Sequence, residues 1–132
     1  MILDVLAHRA IGFGMENSPS AVATALKSGL GVEIDLRISD GGDPSISHDP
    51  LTNHKGWEFA RYLPLFADYP DRTIAINVKD TKAALRALDF FEDGSITKGF
   101  AFDFELLGTP LPEKYPIAVR VSDLVGERPE EI

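Results

Sequence analysis

Two histidines, a carboxylate pair and several cations hold the chemistry of this sequence. Glu33 and Asp35 stand two residues apart in the apolar run Gly31–Arg37. On an extended strand that spacing sends both carboxylates to one face, with backbone origins ~6–7 Å apart. Both can reach a single hard cation such as Mg²⁺ or Ca²⁺, which prefers oxygen ligands. Without a cation, two close carboxylates repel and one pKa rises. His8 ends an earlier apolar run, and His48 follows the carboxylate pair. One imidazole can take a proton from a nucleophile while the other protonates a leaving alkoxide. Arg9 and Lys79 supply cationic donors for phosphate oxygens. His54 has no comparable argument and reads as a surface residue.

Elements must hold these residues in place. Five runs read as strands: Leu3–His8, Gly31–Arg37, Thr73–Lys79, Gly99–Glu105 and Ile117–Ser122. A helix is expected after Ser18, a capping residue, with Pro19 in its first turn. Ala21, Val22, Ala25 and Leu26 recur along it until Gly29. A second helix is expected over Thr81–Phe91, with Leu85, Leu88 and Phe91 on one side and Gly94 beyond. Trp57–Tyr69 reads as helical but interrupted by Pro64.

Strands alternating with helices predict an α/β fold with a parallel sheet. Alternation sets Val32, Ile34 and Leu36 against Glu33, Asp35 and Arg37. It likewise sets Ile74, Ile76 and Val78 against Ala75, Asn77 and Lys79. In the fourth run Phe100, Phe102 and Phe104 oppose Ala101, Asp103 and Glu105, and in the fifth Arg120 and Ser122 oppose Ile117, Val119 and Val121. One account is a sheet with a wet face. The other is a parallel (β/α) barrel of TIM type, whose apolar face packs on helices and whose polar groups gather at the C-terminal strand ends. A closed barrel takes ~200 residues or more, so about five strands of eight fit in 132 residues. A fragment, a half-barrel completed by a partner and an open sheet all satisfy that length.

With a formal net charge of −8, the chain repels nucleic-acid backbones and anionic lipid. The absence of cysteine excludes disulfides, thiolate metal sites and cysteine nucleophiles. No apolar run approaches membrane-spanning length, and no signal peptide is visible, which makes the cytoplasm the default location. Exposed edges of an incomplete barrel would invite self-association.

His8-Arg9, Glu16-Asn17-Ser18, Glu33-Ile34-Asp35 and Ser47-His48-Asp49 resemble, in order and spacing, the pattern of the glycerophosphodiester phosphodiesterase family. The likeness continues more weakly through Asn77-Val78-Lys79 and Phe102-Asp103, so it covers a single domain over nearly the whole chain, as the N-terminal part of the barrel. The resemblance implies hydrolysis of a small-molecule phosphodiester to glycerol 3-phosphate and an alcohol. His8 and His48 would be the acid–base pair, and Arg9, Lys79 and Arg120 the phosphate contacts. Glu33, Asp35, Asn77 and Asp103 would hold Mg²⁺ or Ca²⁺, with Glu16 and Asn17 ordering the mouth. Ala10 replaces the family's usual glycine. Asn77 replaces the usual third carboxylate, as in a bacterial-type branch with Asn in that motif, and an amide brings no charge to the metal. Two alternatives stay open: a non-catalytic homologue that binds a phosphorylated ligand, and a phospholipase of the related two-histidine type. Gly12-Phe13-Gly14-Met15 is the segment that would favour the phospholipase.

Overall fold

The computed structural model describes residues 5–51 and 56–103, and the backbone of 117–118. Strand β1 (Leu6–His8) leads into helix α1 (Pro19–Lys27), followed by β2 (Gly31–Ile38). Two short strands come next, β3 (Pro44–Ile46) and β4 (Trp57–Glu58), then a 3₁₀ turn over Phe59–Tyr62 and helix α2 (Leu63–Asp68). Strand β5 (Ile74–Val78), helix α3 (Thr81–Glu92), β6 (Gly99–Phe102) and β7 (Ile117–Ala118) complete the described elements.

The strands β1, β2, β5, β6 and β7 are parallel and lie side by side in chain order. Their cores match the five expected runs, though the expected ends at Leu3, Glu105 and Ser122 lie outside the described residues. The sheet is mixed rather than purely parallel, because β3 pairs antiparallel with the end of β2 and β4 antiparallel with β3. β1 and β3 share one edge of β2: β1 flanks Gly31–Glu33, and β3 flanks Leu36–Ile38.

Helix α1 forms as its sequence dictates. Ser18 Oγ accepts from Ala21 N–H at 3.1 Å, and Pro19 occupies the first turn, where no amide hydrogen is needed. Ala21, Val22, Ala25 and Leu26 are fully buried, and Gly29 takes a left-handed φ of 93° just past the end. Asp80 caps α3 by accepting from Ala83 N–H at 2.7 Å. The fully buried side of α3 is Ala83, Ala84, Ala87 and Phe90; of the expected stripe, Leu88 and Phe91 pack half-buried against the core, and Leu85 is corrected to an exposed position. Val32, Ile34, Leu36, Ile74, Ile76, Val78 and Ala101 form the core against these helices.

Two further expectations are corrected. Trp57–Tyr69 is not one interrupted helix: Trp57 and Glu58 pair with β3, and Pro64 sits in the first turn of α2, where proline is tolerated. In β6 the faces are reversed. Phe100 pairs in register with Ala75 and Phe102 with Asn77, so these rings share the face of Asp35, while Ala101 aligns with Ile76 in the core. Alternation defines two faces but not which one meets the helices. No helix among the described residues is long and apolar enough to cross a membrane.

Candidate active site

Asp35 is the centre of the site. It lies on the face of β2 opposite the helices, is 1% exposed, and is the in-register neighbour of Asn77 on β5. A carboxylate so buried needs partners. Asn17 Nδ2 donates to Asp35 Oδ2 at 2.9 Å, and Arg9 Nε stands 3.6 Å from the same oxygen. Lys79 Nζ lies 3.4 Å from Oδ1, which accepts no hydrogen bond among the described residues.

The loop after β1 delivers Arg9 and Asn17. Arg9 N–H continues the ladder to Glu33 O at 2.8 Å, then the chain turns through left-handed conformations at Arg9 (φ 51°) and Ala10 (φ 54°). Ala10 thus adopts a conformation that glycine takes without steric cost. Asn17, also left-handed (φ 63°), returns its N–H to Arg9 O at 2.7 Å and closes the loop. Its own carbonyl accepts from the buried hydroxyl of Tyr62. Burial raises the Tyr62 pKa well above its ordinary value, against a lowering influence from Arg61.

Arg9 Nη1 donates to Glu16 Oε1 at 2.8 Å, and its Nε donates to His8 Nε2 at 3.2 Å. Burial works to lower the Arg9 pKa, but the bond to Glu16 and the fields of Glu16, Asp35 and Glu33 outweigh it and leave it raised. His8 Nε2 is 3.7 Å from Glu33 Oε1, its in-register neighbour across the parallel pair.

His48 follows β3 rather than a plain loop after β2. Its segment is fixed by Arg37, whose Nε donates to Ser47 O at 3.2 Å and whose Nη2 donates to His48 O at 2.6 Å. Ser47 N–H also donates to Asp35 O at 2.9 Å. Asp49 Oδ1 is 3.0 Å from His48 Nδ1; a carboxylate can only accept, so this bond places the proton on Nδ1 and leaves Nε2 as the acceptor of the ring. A cavity of about 110 Å³ is lined by Glu16, Asn17, Ser47, His48 and Asp49, bringing the second and fourth sequence motifs to one place.

Among the described residues, no three His, Cys, Asp or Glu side chains converge as a metal-holding group, so Glu33, Asp35 and Asp103 do not form one. Asp103 is buried just past the end of β6 at a left-handed φ of 74°, and Phe102 takes the register position beside Asn77. Glu33, Asp35 and Asn77 do suit a hard cation as two carboxylates and an amide. The Oδ1 atoms of both Asp35 and Asn77 are buried and accept no hydrogen bond among the described residues. Arg120 lies outside the described residues.

Arg37, Asp49 and Tyr62 position the site although sequence reasoning assigned them no part. Arg37 shares the alternation of Glu33 and Asp35, and Asp49 adjoins His48, so both carried a signal; Tyr62 carried none.

No family model matches the sequence, and no curated protein matches it. Solved structures do. A glycerophosphodiester phosphodiesterase from Thermotoga maritima superposes with a TM-score of 0.60 at 22% identity, covering 86% of this chain and 64% of its own. A phosphodiesterase from Oleispira antarctica, solved with its product sn-glycerol-3-phosphate, gives 0.61 at 18% identity, covering 77% of this chain and 57% of its own. The chain therefore spans about three-fifths of the length of these neighbours, and over that span it has the α/β fold of the glycerophosphodiester phosphodiesterases.

Proposed function

We propose that this chain is the N-terminal part of a (β/α) barrel, about five parallel strands of eight, that hydrolyses small phosphodiesters of the glycerophosphodiester class with Mg²⁺ or Ca²⁺. The observation that carries the reading is the convergence of Arg9, Asn17 and Lys79 on buried Asp35, at the C-terminal ends of adjoining parallel strands. Catalytic groups of (β/α) barrels gather at such ends. The shared fold, and the product found in the Oleispira neighbour, support the same substrate class.

In this reading Arg9 and Lys79 receive the phosphate oxygens. Arg9 stays charged and is aimed by Glu16. His8 and His48 exchange protons with the attacking water and the leaving alkoxide, with Asp49 holding the His48 tautomer. Glu33, Asp35 and Asn77 would hold the cation, which when bound offsets phosphoryl charge. Asn17 keeps Asp35 oriented and excludes water from Oδ2. One observation favours an intact lipid as substrate: Ile11 and Met15, in the loop that carries the site, are exposed.

The test is hydrolysis of glycerophosphocholine and bis(p-nitrophenyl) phosphate with Mg²⁺, Ca²⁺ or EDTA. Cation-dependent turnover lost in His8→Ala and Glu33→Ala is the expected result. Turnover that survives both substitutions overturns it, and ligand binding without turnover moves the reading to a non-catalytic homologue. Sedimentation of the chain, expected to show self-association through open strand edges, tests the incomplete barrel; a monomer that unfolds cooperatively argues against it.

A further inference from the structure

We propose that Lys79 couples the two ligands of this centre: a phosphate group draws its ammonium away from Asp35, and so raises the affinity of the site for a divalent cation. The inference rests on the function proposed above and concerns how cation and phosphate depend on one another.

The two oxygens of Asp35 are not equivalent. Oδ2 is held by Asn17 at 2.9 Å and faced by Arg9 at 3.6 Å. Arg9 is itself fixed by Glu16 at 2.8 Å and by its bond to His8, so it cannot leave cheaply. Among the described residues, Oδ1 is buried, accepts no hydrogen bond and has the Lys79 ammonium, 3.4 Å away, as its charged contact. A buried carboxylate oxygen holds whatever cation is at hand. Without ligands that cation is Lys79.

A divalent ion at Glu33, Asp35 and Asn77 needs the charge of Asp35, since Asn77 brings none. Oδ1 is the oxygen left to it, because Oδ2 is already held by Asn17 and faced by Arg9. Two cations against one oxygen repel, so the ion and Lys79 compete. Lys79 can give way: its charge sits on a flexible four-carbon stem, and the side chain is 20% exposed. A phosphate in the mouth offers the ammonium a new anion and leaves Oδ1 open. By linkage the effect is reciprocal, so the cation must tighten phosphate binding by the same factor.

Calorimetric titration of the whole chain with Mg²⁺, with and without inorganic phosphate, tests this without reading turnover. Phosphate is expected to tighten Mg²⁺ binding roughly tenfold in the wild type. Lys79→Met should bind Mg²⁺ more tightly than wild type without phosphate and show no phosphate enhancement. Lys79→Gln provides the same test if the methionine variant misfolds, and Lys79→Arg should remain wild-type-like in Mg²⁺ affinity. Solution pairing of Mg²⁺ with phosphate affects all variants alike, so the difference between them carries the result. Equal Mg²⁺ affinity in wild type and the neutral variants, enhancement that persists without Lys79, or no Mg²⁺ binding at all overturns the proposal. Hydrolysis without coupling removes only the coupling. Coupling without hydrolysis removes only the phosphodiesterase reading.

Discussion

The side-chain amide of Asn17 donates to Asp35 at 2.9 Å, joining two buried residues from the loop after β1 and from β2 near the end of its parallel pairing with β5. Hydrogen bonds to charged groups contribute about 1.5–3 kcal/mol. Asn17→Ala should therefore lower stability by about 2 kcal/mol. Asn17→Asp should cost more at neutral pH, since it replaces a donor by a second buried anion. Urea unfolding gives both values, and an Asn17→Asp protein as stable as wild type would contradict the assignment.

Tyr62 supports that amide from behind by donating to the Asn17 carbonyl. Tyr62→Phe leaves the carbonyl buried without this donor, at a cost of about 1–2 kcal/mol at neutral pH. The pH dependence has a definite sign. Burial raises the Tyr62 pKa in the folded protein, so its contribution is complete below the unfolded value of about 10 and fades as pH climbs beyond it. The stability gap between wild type and Tyr62→Phe should therefore hold up to about pH 10 and narrow as pH climbs from there toward the raised folded value. A gap that stays constant would show that the hydroxyl does not titrate with the fold.

Asp49→Asn should disturb His48 without unfolding the protein, because Asp49 is exposed. The amide can turn its NH₂ toward Nδ1 and admit the wrong tautomer. Turnover should fall roughly tenfold, against ~10²-fold or more for His48→Ala. In the double variant the loss should equal that of His48→Ala alone. Additive losses would separate the two residues.

Ala10 is fully buried with φ 54°. Ala10→Gly exchanges relief of the left-handed conformation, about 1–2 kcal/mol, for a lost buried methyl and greater chain entropy of similar total size. Its melting temperature should stay near that of wild type. Ala10→Val, β-branched and oversized there, should lose about 3 kcal/mol. A stable Ala10→Val protein would mean that the loop has another conformation.

Much of this site was written in spacing. Glu33 and Asp35 reach one face because strands alternate, and Asn77 arrives beside Asp35 because parallel strands stack in register. The caps of α1 and α3 are local chemistry and equally legible. What escaped were long-range choices. β3 and β4 are three and two residues long, too short for any period to register. Tyr62 reaches Asn17 across 45 positions, and no local rule connects them. The side of β6 that meets the helices depends on its pairing with β5, which places alanine inward and phenylalanine at the site face. Leu85 is apolar yet falls outside the buried stripe of Ala83, Ala84, Ala87 and Phe90, which apolar character alone does not reveal.

At the opposite end of the sheet, Gly31 opens β2 and Gly99 opens β6, on either side of the start of β5. A methyl on Gly31 would run into the Thr73 carbonyl, and one on Gly99 into the Ile74 carbonyl. Both obstacles are backbone, which cannot step aside as a side chain can. Even alanine is thus denied at two places remote from the chemistry, so the floor of the sheet is constrained by backbone approach while its rim is constrained by the groups it presents.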